Sequence, residues 1–205
     1  MSDLSLQKVQ THRGLPAPLE NRVENYALLE FDESDSPKAE EAFADCMDQG
    51  WLVDGVVSQS QAQAASLWQL REGISESLAP YTPYKNDLSV RISEVPAFLA
   101  DVDQYVKEGY PDFEVCWYGH IGDGNLHLNI LRPDSLSVEE FFHVGHTMSP
   151  KIFGLVQARR GSISAEHGVG LLKRDFLGYS RSDEEITLMR DLKQVFDPDQ
   201  ILNPD

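Results

Sequence analysis

The sequence has few cysteines, few basic residues and no long apolar run. Its two cysteines, Cys46 and Cys116, lie far apart and outside any cluster with metal-ligand spacing. We therefore expect no disulfide framework, and two such thiols are typical of a reducing compartment. No apolar stretch reaches the roughly 18 residues that span a bilayer, and the first residues do not resemble a signal peptide. The sequence predicts a soluble, cytoplasmic protein without an integral membrane segment.

The shortage of positive charge limits the partners that the chain can bind. It contains 17 lysines and arginines against 34 aspartates and glutamates, a formal net charge of -17. Phosphate backbones and anionic membranes are repelled by such a chain, so we expect no nucleic-acid partner. A site for a small anion would need its own local positive charge. The 41% hydrophobic and 25% charged residues are otherwise typical of one globular domain.

Turn residues and apolar periodicity divide the chain into strands and helices. Residues 1–23 are polar, carry glycine and prolines at 14–18, and are expected to form a lead-in segment without lasting regular structure. Strands are predicted at residues 26–31, 52–57, 87–92, 112–121 and 126–132, with a short further one at 161–164. Helices are predicted at residues 36–50, 59–79, 96–109, 137–159, 168–177 and 183–195. This order predicts an α+β fold, with an antiparallel sheet of ferredoxin-like split βαβ units covered by helices and a C-terminal helical segment.

Residues 115–130 are the most informative stretch, because they place a histidine on each side of an Asp-Gly pair. Asp-Gly at 123–124, between two alternating runs, predicts a hairpin with a two-residue type I′ turn. In that register His120 faces His127 across the strands, at a Cβ separation of about 4.5–5.5 Å that allows both imidazoles to bind one ion. The same polar face also carries Tyr118 and Asn129.

A solvated sheet surface is the alternative explanation of this polar face, and it stays open at this point. The face lacks the Lys, Glu and Thr side chains that usually cover such a surface. Two other histidines, His143 and His146, lie three residues apart on a predicted helix. We assign those two to surface or packing positions.

A second polar segment places Glu166 beside His167 between serines and glycines. Glycines there permit a close approach of the backbone. Neighbouring side chains diverge, so the two residues are expected to have different roles. Glu166 would complete a His₂Glu set with an open position, as in catalytic metal sites, while His167 would face a substrate. A plain acid at a helix N-terminus is an equally good explanation of Glu166.

Four separated motifs carry a family resemblance. They are Gly-His-Ile-Gly-Asp-Gly-Asn-Leu-His at 119–127, Gly-Ser-Ile-Ser-Ala-Glu-His-Gly at 161–168, Lys-Asn-Asp-Leu-Ser-Val at 85–90, and Phe-Asp-Pro with Ile-Leu-Asn-Pro at 196–204. On these motifs, residues 24–205 resemble the C-terminal domain of FAD-linked oxidases. The similarity is to the group of D-2-hydroxyglutarate and D-lactate dehydrogenases.

The resemblance implies cofactors, a partner domain and site residues. FAD would be held mainly by an N-terminal FAD-binding domain, which this sequence lacks. His120, His127 and Glu166 would bind a divalent metal, with zinc as the first expectation and Mn, Co or Fe able to use the same ligands. His167 would be the general base. The resemblance implies substrate contacts for Arg71, Ser75, Lys85 and Asn129. It places Asn203 near the flavin.

The implied reaction is the oxidation of a D-2-hydroxyacid to the 2-oxoacid. The metal would lower the pKa of the hydroxyl, His167 would accept its proton, and the flavin would take the hydride. Arg71 and Lys85 would favour a dicarboxylate such as D-2-hydroxyglutarate, although each alone is typical of a solvated surface charge. The chain is expected to be inactive without the FAD domain. A non-enzymatic metal or small-acid binding module is the alternative, and the sequence leaves open whether the chain forms a homodimer.

Overall fold

The computed structural model describes residues 1–203, which form helices and one small antiparallel sheet. The predicted α+β class is therefore confirmed. The helices are α1 Asp3–Arg13, α2 Ser36–Asp48, α3 Gln61–Glu72, α4 Ile74–Leu78, α5 Val95–Gly109, α6 Val138–Ala158, α7 Gly170–Lys173 and α8 Asp183–Phe196. The strands are β1 Tyr84–Ser89, β2 Glu114–His120 and β3 Asn125–Leu131. Across the described part of the chain, no helix has both the length and the apolar character that a bilayer crossing requires.

The chain divides into two compact units. One contains residues 1–82 together with 116–118, and the other contains residues 83–115 and the chain from 119 onward. Helices α1, α2, α3 and α4 belong to the first unit, and the remaining helices belong to the second.

Helix α1 of the first unit lies where the sequence predicted a segment without regular structure. Its Leu6 and Val9 are buried, as are Ile74 and Leu78 of the contacting helix α4. The Ser2 side chain caps the first turn, and a left-handed glycine follows the last turn. Caps and the burial of one narrow face stabilise the helix, although most of its residues are polar. The prediction for residues 3–13 was therefore wrong.

Two strands that were predicted in the first unit, at residues 26–31 and 52–57, do not form. Both segments lack regular structure and are mostly exposed, as Val53 shows at 64% exposure. A strand needs a neighbour for its backbone hydrogen bonds, and the described residues place no strand beside either segment. Helix α2 agrees with its prediction to within two residues. The predicted helix 59–79 is divided at Gly73 into α3 and α4.

The sheet has the strand order β1-β3-β2, and its strands β1 and β3 lie in the second unit. Helix α6 contacts both α5 and β1. The core of this unit is apolar and includes side chains with no exposed surface, namely Leu88, Leu128, Ile130, Phe98, Val102, Phe141, Ile152 and Val156. The predicted strand at 161–164 is reduced to one bridge between Ser89 and Ser162, so the last strand of the predicted split βαβ unit is not formed. Strand β1 begins three residues before its predicted start.

The hairpin between β2 and β3 has a four-residue loop, 121–124, and not the predicted two-residue turn. Gly124 has a positive φ of 76°, but Asp123 does not, so the type I′ prediction was wrong. The Asp123 side chain instead accepts the backbone N–H of Asn125 at 2.9 Å, which stabilises the wider loop. The two extra loop residues move the strand register by two positions. Because side chains alternate with a period of two, His120 and His127 stay on the same face.

Candidate metal centre

The three predicted metal ligands converge in the second unit. His120 ends β2, His127 lies within β3, and Glu166 lies in the segment between α6 and α7. One ligand atom from each lies within 4.8 Å of the others. Nδ1 of His120 is 3.4 Å from Oε1 of Glu166. Two ligands at 2.0–2.1 Å from a tetrahedral ion are themselves about 3.3 Å apart, so these residues fit a divalent metal ion.

The ligand set is partly open to solvent. The side chain of His127 is 13% exposed, whereas those of His120 and Glu166 are 58% and 45% exposed. The rings of His120 and His127 are 6.3 Å apart at an angle of 77°. An ion held here would keep a side accessible to a substrate, which is typical of catalytic metal sites.

Asp87 is a residue of this site to which the sequence gave no role. It pairs with His127 in the β1–β3 register and is only 6% exposed. Its Oδ2 accepts the backbone N–H groups of Glu166 at 2.8 Å and His167 at 2.9 Å. An acid among the buried positions of a strand is a signal that could have identified it, since such residues are rarely buried without a partner.

The surroundings of Asp87 favour its charged form. Burial alone would raise the pKa of Asp87, but hydrogen bonds from the backbone of His167 and Glu166 and the charges of His167 and His127 bring it below its usual value. A carboxyl whose pKa is lower in the folded state stabilises the fold above its unfolded pKa. That contribution is lost as the pH falls through the lowered pKa.

Asn125 is a second residue that the sequence reasoning missed. Its side chain is buried, and its Nδ2 donates a hydrogen bond to Oε1 of Glu166. This contact orients the Glu166 carboxylate. The alternative role of Glu166 as a helix N-terminal acid is not supported, because α7 begins four residues later and its N-cap is Val169.

His167 lies beside the ligand set but does not belong to it. Its ring stacks on that of His127 at 5.9 Å and 17°, and its Nδ1 is 3.7 Å from Oδ2 of Asp87. The side chain is 68% exposed, so it is accessible to a small molecule. Nearby, Lys173 donates to the backbone oxygen of Ile163 at 2.8 Å. Burial lowers the pKa of Lys173, while the charge of Asp87 opposes that shift.

The predicted substrate-contacting residues are divided between the two units. Lys85 and Asn129 are a cross-strand pair of the second unit. Lys85 is exposed, whereas Asn129 is only 1% exposed. Oδ1 of Asn129 has no hydrogen-bond partner among the described residues. Arg71 on α3 and Ser75 on α4 belong to the first unit, where the Arg71 guanidinium lies 5.0 Å from the Tyr118 ring.

Asn203, predicted to lie near a flavin, is exposed and follows α8 with a φ of 48°. The turn before it is held by Asp197, whose two carboxylate oxygens accept the backbone N–H groups of Ile201 at 2.8 Å and Leu202 at 3.1 Å. The structure thus gives residues 196–203 of this terminal motif a defined local shape, and Pro204 lies outside the described residues.

Comparison with known proteins identifies the family. The family model described as "FAD linked oxidases, C-terminal domain" matches residues 1–205, so the match includes α1. A D-2-hydroxyglutarate dehydrogenase of Stutzerimonas stutzeri is 54% identical over 206 residues, which cover 99% of this chain and 44% of that protein. One of Xanthomonas citri pv. viticola is 52% identical, with 99% and 43% covered. A Schizosaccharomyces pombe protein, named provisionally as a mitochondrial D-lactate dehydrogenase, is 37% identical, with 100% and 40% covered.

The extent of these matches defines what they say about the chain. The chain spans less than half the length of the relatives, so their names describe larger proteins. The family match covers the whole sequence, including the segments that carry His120, His127 and Glu166. The chain belongs to the family of C-terminal domains of FAD linked oxidases.

Proposed function

We propose that this chain is the substrate- and metal-binding part of an FAD-dependent dehydrogenase that oxidises a D-2-hydroxyacid, with D-2-hydroxyglutarate as the substrate. The observation that carries the proposal is the convergence of His120, His127 and Glu166 within 4.8 Å, beside an accessible histidine. The names of the relatives support the substrate class. FAD would be held mainly by a separate flavin-binding domain.

The side chains divide the chemistry between them. When bound, a divalent ion supplies Lewis acidity at the substrate hydroxyl, and FAD supplies the hydride acceptor. His120, His127 and Glu166 would hold that ion. His167 accepts the hydroxyl proton at Nε2, because its Nδ1 is directed to Asp87 at 3.7 Å. The hydride leaves Cα, and the product is the 2-oxoacid.

Local cations oppose the repulsion that this acidic chain exerts on an anionic substrate. With a net charge of -17, the chain repels a dicarboxylate at long range. Lys85 is exposed on β1, on the strand that also carries Asp87, and supplies a positive charge near the ligand set. A divalent ion at the ligand set would be a second source of positive charge. A dicarboxylate therefore fits the charges better than a monocarboxylate does.

Activity is expected only when the chain is joined to a flavin-binding part. We expect a hybrid with the unmatched part of the Stutzerimonas stutzeri relative, loaded with FAD and zinc, to bleach its flavin on addition of D-2-hydroxyglutarate. D-Lactate should act more slowly, and this chain alone should reduce no dye with either acid. Flavin absorbance under anaerobic conditions measures this. A loaded hybrid that neither acid reduces would contradict the proposal and support a metal-binding module.

Lys85→Met is expected to raise the KM of that hybrid for D-2-hydroxyglutarate by about 10-fold or more and to leave the KM for D-lactate nearly unchanged. A hydrogen bond to a charged group contributes about 1.5–3 kcal/mol, and only the dicarboxylate has a distal carboxylate to use it. Lys107→Met, an exposed lysine on α5, is the matched control with the same charge change. Equal losses for both acids would remove Lys85 from the proposed specificity.

A further inference from the structure

We propose that Asp87 is a positioning residue for the metal site. It fixes the tautomer of the neutral His127 ring and holds in place the segment that carries Glu166 and His167. The inference rests on the proposed metal set and adds a residue outside it. Asp87 would bind neither the metal nor the substrate. Its carboxylate has two oxygens, and each would have a separate role.

Oδ2 of Asp87 holds the segment between α6 and α7. It accepts two hydrogen bonds, from the backbone N–H groups of Glu166 and of His167. Because these residues are consecutive, one oxygen fixes the backbone of a metal ligand and that of the proposed general base together. Asp87 lies about 80 residues earlier in the chain, so this contact joins β1 to the segment across the fold.

Oδ1 of Asp87 is buried and has no hydrogen-bond partner among the described residues. Nδ1 of His127 lies 3.5 Å away, on the residue that faces Asp87 in the sheet register. A buried carboxylate oxygen without a donor is destabilising, and a small rotation of the imidazole brings an Nδ1–H into hydrogen-bonding range. Oδ1 therefore favours the proton of His127 on Nδ1.

That protonation prepares His127 to bind a metal. A neutral imidazole carries one N–H and one bare nitrogen, so a proton on Nδ1 leaves the lone pair of Nε2 available to an ion. Metal-bound histidines commonly donate their other ring N–H to a carboxylate in this way. Oδ2 already accepts two backbone donors, which leaves Oδ1 for this role.

The test is the position of the His127 proton in the protein without metal. Nitrogen chemical shifts of the histidine rings, measured above the usual histidine pKa, distinguish Nδ1–H from Nε2–H. We expect Nδ1–H in the unaltered chain. In Asp87→Asn the amide oxygen would keep the two backbone contacts while the amide NH₂ faces the ring, so His127 should change to Nε2–H. Asp112→Asn removes one exposed charge and is the control that should change nothing.

Zinc affinity is the second measurement on the same variants. Loss of such an orienting partner lowers metal affinity by about 10–100-fold, so we expect a fall of that size in Asp87→Asn and none in Asp112→Asn. An Nε2–H ring in the unaltered chain would overturn the inference, and this measurement does not depend on the folding of any variant. The same ring state in the unaltered chain and in Asp87→Asn would also overturn it.

Failure of the inference and failure of the proposed function give different results. If zinc binds through His120, His127 and Glu166 but the His127 proton stays on the same nitrogen in Asp87→Asn, the inference is wrong and the metal site stands. If the ring proton responds to Asp87 but the chain retains no divalent metal, the positioning of His127 is supported and the proposed metal chemistry is wrong.

Discussion

Replacing His127 by alanine is expected to lower the affinity of the chain for zinc by more than about 100-fold. Loss of a residue that only orients a ligand already costs about 10–100-fold, and His127→Ala removes a ligand itself. Its ring is the least exposed of the three ligands, so the backbone and neighbours hold it firmly. Competition with a coloured chelator measures the affinity, and Co²⁺ absorbance reports the number of ligands.

Thermal unfolding gives an independent measure of the same loss. An ion that binds only the folded chain stabilises it by about 2.7 kcal/mol at a concentration of 100 times its dissociation constant. Adding a chelator should therefore lower the Tm of the unaltered chain and leave that of His127→Ala unchanged. His143→Ala, an exposed histidine of α6 outside the ligand set, is the control that should behave like the unaltered chain. Zinc affinity of His127→Ala within a few-fold of the control would contradict the metal site.

The sequence was sufficient to predict that two histidines share a face, although it predicted the wrong turn between them. Alternation along a strand depends only on period two, so a register error of two residues left His120 and His127 on one side. The turn itself is decided by contacts that a short pattern does not contain. One is the hydrogen bond that the Asn125 backbone N–H donates to the Asp123 side chain. Another is the hydrogen bond that the Val90 N–H donates to the Gly124 backbone oxygen at 3.2 Å.

Asp87 and Asn125 were missed for a related reason. Each acts on Glu166, which lies 79 and 41 residues away in the chain, and nothing in local spacing indicates such a meeting. Glu166 itself was identified because a carboxylate beside a histidine completes a known type of ligand set. Residue chemistry thus suggested the ligands, whereas the residues that orient them became visible only with the fold.

The first unit shows the limits of pattern reasoning more strongly. Residues 26–31 and 52–57 have the composition of strands, but composition does not supply a neighbouring strand. Residues 3–13 look too polar for a core element, yet Leu6 and Val9 on one face are enough to pack a helix. Predictions were better where a helix has a strong start signal, as at Ser137, whose side chain caps α6 in a capping box.

Gly124→Ala is expected to lower the free energy of unfolding of the second unit by about 2–6 kcal/mol. A positive φ costs a residue with a side chain about 1–3 kcal/mol, and overpacking adds a similar amount. Both apply here, because Gly124 has a φ of 76° and an added Cβ would lie 2.0 Å from the backbone oxygen of Val90. The loop would have to move away from Val90, which follows β1, and His120 at the end of β2 would move with it.

Gly122→Ala is the matched control in the same loop. An added Cβ at Gly122 meets no atom within 4 Å, and its φ is not positive. Its unfolding free energy should change by less than about 1 kcal/mol in urea titration, and its zinc affinity should not change. Since the loop joins β2, which carries His120, to β3, which carries His127, Gly124→Ala should lose zinc affinity as well as stability. Equal stability and equal zinc binding of the two variants would show that the close contact between Gly124 and Val90 does not hold the hairpin in place.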